Sequence, residues 1–229
     1  ESKSGTITGA VTTDSGAITT IDFSNGSNVK SLNLQGADNT ITTISSNGSN
    51  NTLNLDTTRN GVSVGVTNAI SGANSLTIAL GGATDKKVEL TLNNANGDST
   101  LKALTLANAS AVEENVLNLN TRKTTIADNL SIDSGKGMTI NLADNTELAS
   151  GIANSGNTII NFNGTTSSKL TGDISTDGST KTTTFNIATG GNGVINGSIT
   201  LSNSGANNAT IGENGTLTLQ GENNQLTSV

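Results

Sequence analysis

Carboxylates are the side chains of this sequence best suited to chemistry, because the chain has neither His nor Cys. Without these residues it cannot build a Ser-His-Asp, Cys-His or zinc-hydrolase site. Two placed acids suffice for glycoside hydrolysis. However, the adjacent Glu113 and Glu114 would point to opposite faces of a strand, and sugar-cleaving grooves usually stack substrate on Trp or Tyr, which are also absent. The sequence therefore predicts a protein that is not an enzyme.

The isolated cations and the lack of metal-binding motifs also predict a protein without a catalytic or metal site. A lyase needs a cation as its base or to neutralise a uronate, and we expect Arg59 and Arg122 to stand alone. The glycine-rich nonapeptide of calcium-binding β-rolls and the EF-hand spacing are both missing. Asp38-Asn39, Asp144-Asn145 and Asp173 to Asp177 are interpreted as turn residues. We predict no catalytic residue, no cofactor site and no metal site.

Net charge limits the partners of the chain. Eleven Lys and Arg face 18 Asp and Glu, giving a net charge of −7 and an isoelectric point near 4.4. Cations occur together only in short pairs such as Lys86-Lys87, so nucleic acid is not an expected partner. No apolar run approaches the roughly 18 residues of a membrane span, and ESKSGTI has no signal-peptide pattern. We expect no membrane insertion by this segment.

Short alternating strands are the elements that must position these side chains. Leu32-Asn33-Leu34 and Leu53-Asn54-Leu55 both place Asn between apolar residues, and they lie 53 − 32 = 21 residues apart. A unit of this length is too short for an independent core. It buries its Leu face by stacking on a neighbour, which predicts a solenoid.

Similar spacings recur along the rest of the chain. Leu-x-Leu/Ile strands beginning at residues 90, 104, 117 and 130 follow at steps of 14, 13 and 13, which we interpret as strands on alternating faces of longer coils. Ile160-Asn161-Phe162 precedes Phe185-Asn186-Ile187 by 185 − 160 = 25 residues. This spacing predicts that Ile160 stacks on Phe185 and Phe162 on Ile187, and that Asn161 and Asn186 stack on the outer face, where amide ladders can form. Leu219 to Leu226 also repeats Leu34 to Ile41 almost position by position.

Composition and repeat spacing distinguish a solenoid from three alternative structures. Only 31% of residues are hydrophobic, with three Phe and no Trp or Tyr, which suits a narrow interior and not the thick core of a β-sandwich. Abundant Gly, Ser, Asn and Thr would also fit disorder, but disordered tracts do not maintain strand spacing. Repeated Asn-Gly pairs supply left-handed turn conformations and would fit an antiparallel meander. A meander gives no reason for like strands to recur at the spacing of a coil.

The predicted fold is all-β: a right-handed, single-stranded parallel β-helix with roughly 20 to 30 residues per coil. We expect nine to eleven coils and a rod on the order of 45 to 55 Å long. Residues 1–229 are predicted to form one segment excised from a longer repeat array. The residues predicted to point into the interior are Leu32, Leu34, Leu53, Leu55, Leu76, Ile78, Leu90, Leu92, Leu104, Leu106, Leu217 and Leu219.

These units resemble the passenger regions of bacterial autotransporters. The resemblance lies in the units Ile7 to Val11, Leu170 to Ile174 and Ile195 to Ile199, in the strand Thr52-Leu53-Asn54-Leu55, and in Asn/Gly/Ser/Thr-rich turns without Cys. The most similar group is the vacuolating-cytotoxin-like autotransporters of Helicobacter and Campylobacter relatives. The resemblance implies secretion through the outer membrane, display at the bacterial cell surface, and a role in adhesion, aggregation or toxin action.

Two functions of different kinds follow as expectations. The first is an adhesin or cell-interaction module that binds a host or bacterial cell-surface protein or glycan. Loops at Gly81 to Lys87 and Ala107 to Asn115 favour it. The second is a structural spacer or self-assembling surface-layer or filament protein, which would associate through coil ends or sheet faces.

Overall fold

The chain folds as a β-solenoid of about eight turns whose strands pair in parallel. A computed structural model describes residues 2–12, 19–24, 28–48, 50–56, 61–81, 86–107 and 114–229. Every helix or strand within these ranges is a β-strand, so the predicted fold class is confirmed. The right-handed sense of the coil stays a prediction from the twist of parallel strands. The strands are β1 (Lys3–Ile7), β2 (Thr20–Asp22), β3 (Lys30–Leu34), β4 (Asp38–Ile41), β5 (Thr43–Ser45), β6 (Asn51–Leu55), β7 (Val62–Val66), β8 (Ile70–Leu80), β9 (Val88–Leu106), β10 (Asn115–Ile126), β11 (Leu130–Ile132), β12 (Gly137–Leu142), β13 (Thr146–Ala149), β14 (Ile152–Asn154), β15 (Asn157–Phe162), β16 (Ser168–Thr171), β17 (Ile174–Asp177), β18 (Thr182–Ile187), β19 (Asn192–Asn196), β20 (Ile199–Ser202), β21 (Ala206–Ile211) and β22 (Thr216–Leu219).

The strands form three parallel ladders, each defining one face of the solenoid. The asparagine face contains β4, β7, the first parts of β9 and β10, and then β12, β15, β18 and β21. The charged face contains β2, β5, the start of β8, the middle of β9, the second part of β10, and then β13, β16, β19 and β22. The third face has two separate stretches, one from β1 through β3 and β6 to the ends of β8 and β9, the other of β11, β14, β17 and β20.

Turn length varies within the predicted range. Residues that lie above one another are separated by 20 residues between Asn141 and Asn161 and by 27 between Thr91 and Asn118. The charged face stacks nine strands that are separated by about eight turns, in agreement with the lower end of the predicted nine to eleven coils. Ile7 and Ile21 pair with Leu34 and Ile44 of the following turn and so share a single turn. At about 4.8 Å per turn, the rod is about 40 Å long.

The interior is a column of aliphatic side chains, as the alternation predicts. Leu55 lies between Leu34 and Leu80 on the third face, and all three are fully buried. Nine of the twelve predicted interior residues are buried and three are only partly buried. Leu32 faces Gly5, which has no side chain to cover it, while Leu217 and Leu219 lie on β22, the last strand of its ladder.

The two predictions about strand stacking are confirmed. Leu90 pairs with Leu117 on the asparagine face, whereas Leu104 pairs with Ile78 on the third face, so the steps of 14 and 13 alternate between faces. Ile160 pairs with Phe185, and Phe162 pairs with Ile187.

Gly193 is required by one of these Phe rings. A Cβ at this position would lie 2.8 Å from Cγ of Phe162 and 2.9 Å from Cδ1 of Ile187. Gly193 belongs to an Asn-Gly pair that we expected to form a left-handed turn, but it lies inside β19. The expectation holds at Gly48 (φ 80°) and Asn214 (φ 56°) and is wrong at Gly193. Here glycine is needed for space and not for its backbone conformation.

The repeated units Leu34 to Ile41 and Leu219 to Leu226 form the same corner. Nδ2 of Asn39 donates to the carbonyl oxygen of Gly36, and Nδ2 of Asn224 donates to that of Gly221, both at 2.7 Å. Each Asn oxygen accepts a backbone N–H from the turn below, of Val11 and Ile199 respectively. The first corner leads from the third face to the asparagine face, and the second from the charged face to the third face. The unit is therefore a corner motif that is not tied to one ladder.

Several expectations fall on residues outside the described ranges. They concern the turn at Asp14 to Gly16, the side chains of Arg59 and Glu113, and most of the loops Gly81 to Lys87 and Ala107 to Asn115.

Replacing Leu55 by Asp should lower the free energy of unfolding by more than about 4 kcal/mol, because a carboxylate would be buried between Leu34 and Leu80 without a partner. Chemical denaturation monitored by circular dichroism measures the change. Thr52→Asp is the control, since Thr52 is half-exposed in the same strand. Equal effects of the two changes would show that the register is wrong.

Phe162→Ala and Phe185→Ala should each lower the free energy of unfolding by about 3 to 5 kcal/mol, because each removes a fully buried ring. The rings share the two turns joined by β15 and β18, so we expect the double variant to lose less than the two single losses combined. A double-mutant cycle measures this coupling. Strict additivity would contradict a shared packing unit.

Candidate binding face

Charged side chains on the charged face form an alternating row. Asp98, Lys123, Glu147 and Lys169 lie above one another on successive turns. Nζ of Lys123 is 3.3 Å from Oε1 of Glu147. Because these groups are at least partly exposed, such pairs contribute only about 0 to 1 kcal/mol each. Their main effect is to neutralise one another along this face.

Arg122 does not stand alone, contrary to our expectation. Its Nε and Nη2 donate to the two carboxylate oxygens of Asp98 at 2.8 and 2.9 Å. This two-point contact lowers the pKa of Asp98, chiefly through the hydrogen bond and also through the charge of Arg122. Arg122 is therefore already occupied by a carboxylate.

A ladder of amides runs up the asparagine face. Asn118, Asn141, Asn161 and Asn186, here called the asparagine ladder, lie above one another on four successive turns. Each Nδ2 donates to the Oδ1 of the Asn on the preceding turn, at 2.7, 2.7 and 2.9 Å. Thr91 continues the row below Asn118, and Thr210 continues it above Asn186. The stacking of Asn161 and Asn186 that we predicted is thus part of a longer row.

Strand alternation explains why the amides meet. In β10, β12, β15 and β18 each Asn follows one buried apolar residue and precedes another, so it must point outward. In-register pairing then places Asn over Asn about 4.8 Å apart, the distance at which side-chain amides form ladders. Folding therefore creates the ladder from residues that are 20 to 25 positions apart.

The surface around the ladder is uncharged. Beside it lies a second row, in the order Val116, Thr139, Ile159, Thr184 and Asn208, in which Val116 is buried and the other four are partly exposed. We call the outward side chains of the first part of β10 and of β12, β15, β18 and β21 the neutral strip, since none of them is Asp, Glu, Lys or Arg. The nearest charge in the second row is Glu89, one turn below, whose Oε1 accepts from Asn118 at 2.6 Å.

The neutral strip retains hydrogen-bonding capacity. A side-chain amide has two N–H donors and an oxygen with two lone pairs. At Asn141 and Asn161 the ladder uses one donor and one lone pair of each amide. Both side chains are half-exposed, so the second donor and the second lone pair remain available to a ligand. This arrangement can bind polar, uncharged groups that repeat along the axis.

A shorter ladder on the third face provides a natural comparison. Asn54 donates to Asn33 at 2.6 Å, and Asn33 donates to Thr6 at 3.3 Å. The row then meets Ala79, which has no polar group, so the amides stop after two turns.

The acidic residues predicted at turns hold corners together. Oδ1 of Asp144 accepts from the backbone N of Thr166 at 3.0 Å and from its Oγ1 at 2.9 Å, and Asn145 adopts a left-handed conformation with φ 56°. These bonds, the backbone one first, lower the pKa of Asp144. Asp177 is similar, because hydrogen bonds from Ser202 and Asn203 lower its pKa.

Asn39 differs from the prediction, since it is buried and joins three turns.

The acids of the described ranges lie apart from one another. Asp173 accepts a backbone N–H from Ser198, and Lys87 pairs with Glu89 at 2.5 Å. Within the described ranges, no three Asp or Glu side chains lie close enough to hold a metal ion together. The neutral strip was not predicted from the sequence, because finding it requires knowing which strands share a face.

Asp144→Asn should reduce the acid sensitivity of the protein. A carboxyl whose pKa is lowered by folding stabilises the fold above its unfolded pKa, near 3.9, and loses this contribution as the pH falls through its folded pKa. Melting temperatures between pH 6 and pH 2 should therefore fall less steeply for the variant than for the wild type. Asp128→Asn, at an exposed position, is the control. A slope unchanged by Asp144→Asn would contradict the proposed contribution.

Comparison with known proteins gives no relative for this arrangement. No protein family, curated protein or solved structure matches the chain. None of the described residues forms a helix that is long and apolar enough to cross a membrane.

Proposed function

We propose that the chain is a passenger segment of an autotransporter-like bacterial surface protein, acting without catalysis as an adhesin or cell-interaction module. In this proposal it is displayed outside the outer membrane and contacts a protein or glycan of a host or neighbouring cell. The observation that carries the proposal is the neutral strip, an uncharged hydrogen-bonding surface about four turns long on a protein whose net charge is −7.

Two further features support an interaction module. The solenoid holds each amide through the ladder itself and through strands paired on both sides, so the surface is organised before a partner arrives. Pre-organisation lowers the conformational entropy lost on binding. The residue pattern shared with autotransporter passengers supports the cell-surface location.

A second candidate is a structural spacer or self-assembling surface protein. It is favoured by the last turn, where Ile211 is 40% exposed and Leu217 and Leu219 are only partly buried. Another copy could contact these apolar side chains.

Cell binding by the purified, fluorescently labelled chain tests the proposal. We expect saturable binding to epithelial or bacterial cells in flow cytometry, and at least a tenfold loss of apparent affinity for Asn141→Thr/Asn161→Thr. Thr keeps the strand and its polarity but removes the amides. Asn33→Thr/Asn54→Thr, which changes the shorter ladder, should bind like the wild type.

Sedimentation velocity on the same samples separates the two candidates. A monomer that binds cells supports the interaction module, whereas concentration-dependent filaments without cell binding would favour the spacer. Cell binding that does not change in Asn141→Thr/Asn161→Thr would remove the neutral strip from the proposal.

A further inference from the structure

The asparagine ladder presents a periodic row of free hydrogen-bonding positions. Six polar residues follow one another on successive turns, from Thr91 through the four Asn to Thr210. With about 4.8 Å per turn, the row is about 24 Å long. A ligand that uses the whole row must therefore be extended and must repeat its own polar groups at nearly the same interval.

The chemistry of the row favours hydroxyl groups. Each interior amide, Asn141 and Asn161, offers one donor and one acceptor position outward. A hydroxyl group is both donor and acceptor, so it can satisfy either position by rotating. A sugar chain presents several hydroxyls on every residue, and one hexose of an extended β-1,4-linked chain advances by nearly the same distance as one turn of this solenoid.

Charge narrows the class of sugar chain. The neutral strip has no cation to pair with a uronate or a sulfate. The cations Arg122 and Lys123 lie on the charged face and are paired with Asp98 and Glu147. An acidic polysaccharide would be repelled by the net charge of −7 without local compensation. A neutral chain meets no such barrier.

The second row supplies the apolar contact that sugar rings need. Ile159 and the methyl groups of Thr139 and Thr184 lie beside the amides at the same spacing and are partly exposed. They can contact the C–H faces of successive rings while the amides bind hydroxyls. The chain has no Trp or Tyr for ring stacking, so the affinity of one oligosaccharide is expected to be low, on the order of 1 mM.

A second copy of the chain fits this face less well. Five strands at about 4.8 Å spacing cover about 24 Å, and a six-residue strand extends about 20 Å, giving roughly 480 Å². A stable protein interface needs about 800 Å² from each partner. An added peptide strand would need a free sheet edge, whereas this face presents side chains.

We propose that the neutral strip binds an extended, neutral, β-1,4-linked oligosaccharide along the solenoid axis, with one sugar residue per turn over four to five turns. This inference rests on the proposed function and specifies its ligand. The ladder amides bind hydroxyls, and the second row contacts the rings.

Nuclear magnetic resonance titration of the full chain with cellohexaose tests the inference. We expect shifts of the side-chain amide signals of Asn118, Asn141, Asn161 and Asn186, with those of Asn33 and Asn54 unchanged. Cellobiose should bind at least tenfold more weakly, because it spans only two turns. A galacturonic acid hexamer should cause no shifts at these amides.

Two variants of the neutral strip are used, so that the test can be completed even if the change to the ladder prevents folding. Asn141→Thr/Asn161→Thr should weaken cellohexaose binding at least tenfold, while Asn33→Thr/Asn54→Thr should leave it unchanged. If the first variant does not fold, Thr184→Lys leaves the ladder amides in place, adds a long charged side chain to the second row and should weaken binding similarly. Melting curves of all variants confirm that they are folded.

The outcomes distinguish this inference from the proposed function. No amide shifts with cellohexaose, shifts confined to other residues, or equal binding of the acidic hexamer would overturn the glycan assignment. If cell binding persists in that case, the interaction module stands with a different ligand. If cell binding is also absent, both proposals fail.

Discussion

In-register stacking of each turn on the next is the constraint on which this structure depends. A single turn of 20 to 29 residues has no core of its own, because its few aliphatic side chains are covered mainly by those of the turns above and below. Leu55 illustrates this: Leu34 and Leu80 bury it completely. Because side chains alternate along a strand, a slip of one residue would expose the whole apolar set and bury the polar one. Register and core are thus the same requirement.

The same requirement determines what happens on the outside. When apolar residues stack, the residues between them stack too. Asn residues between aliphatic neighbours therefore form a ladder, and no additional sequence feature is required. Differences in turn length are accommodated at the corners between strands. At one such corner, the side-chain amide of Asn39 donates to the carbonyl oxygens of Gly36 and Ser63. Carboxylates at other corners, such as Asp144, perform the same role with bonds to the next turn. The faces are therefore free to differ in chemistry while apolar side chains stack in the interior.

The sequence predicted the features that depend on local alternation and on repeat length. The parallel solenoid, the alternating faces of the middle strands and the stacking of Ile160 on Phe185 all follow from spacing. The placement of Ile7 and Ile21 in one turn did not, because spacing alone does not show which strands share a face. The pairing of Arg122 with Asp98 was also missed. This pairing depends on a register shift between Thr121 and Lys123, where β10 passes from one face to another. No residue pattern in the sequence indicates this shift.

The separation of faces gives the proposed interaction role a physical basis. The charged face neutralises its own cations and anions, so it has little residual attraction for a specific ligand. The neutral strip instead keeps one donor and one acceptor unused at each interior amide, and its geometry repeats with the backbone. Binding energy on such a surface accumulates with the number of turns a ligand spans and not with the depth of a cavity. A long ligand can therefore be held by weak, equal contacts, while a short one with the same chemistry is not, and this explains how a chain without Trp, Tyr or His could still recognise an extended partner.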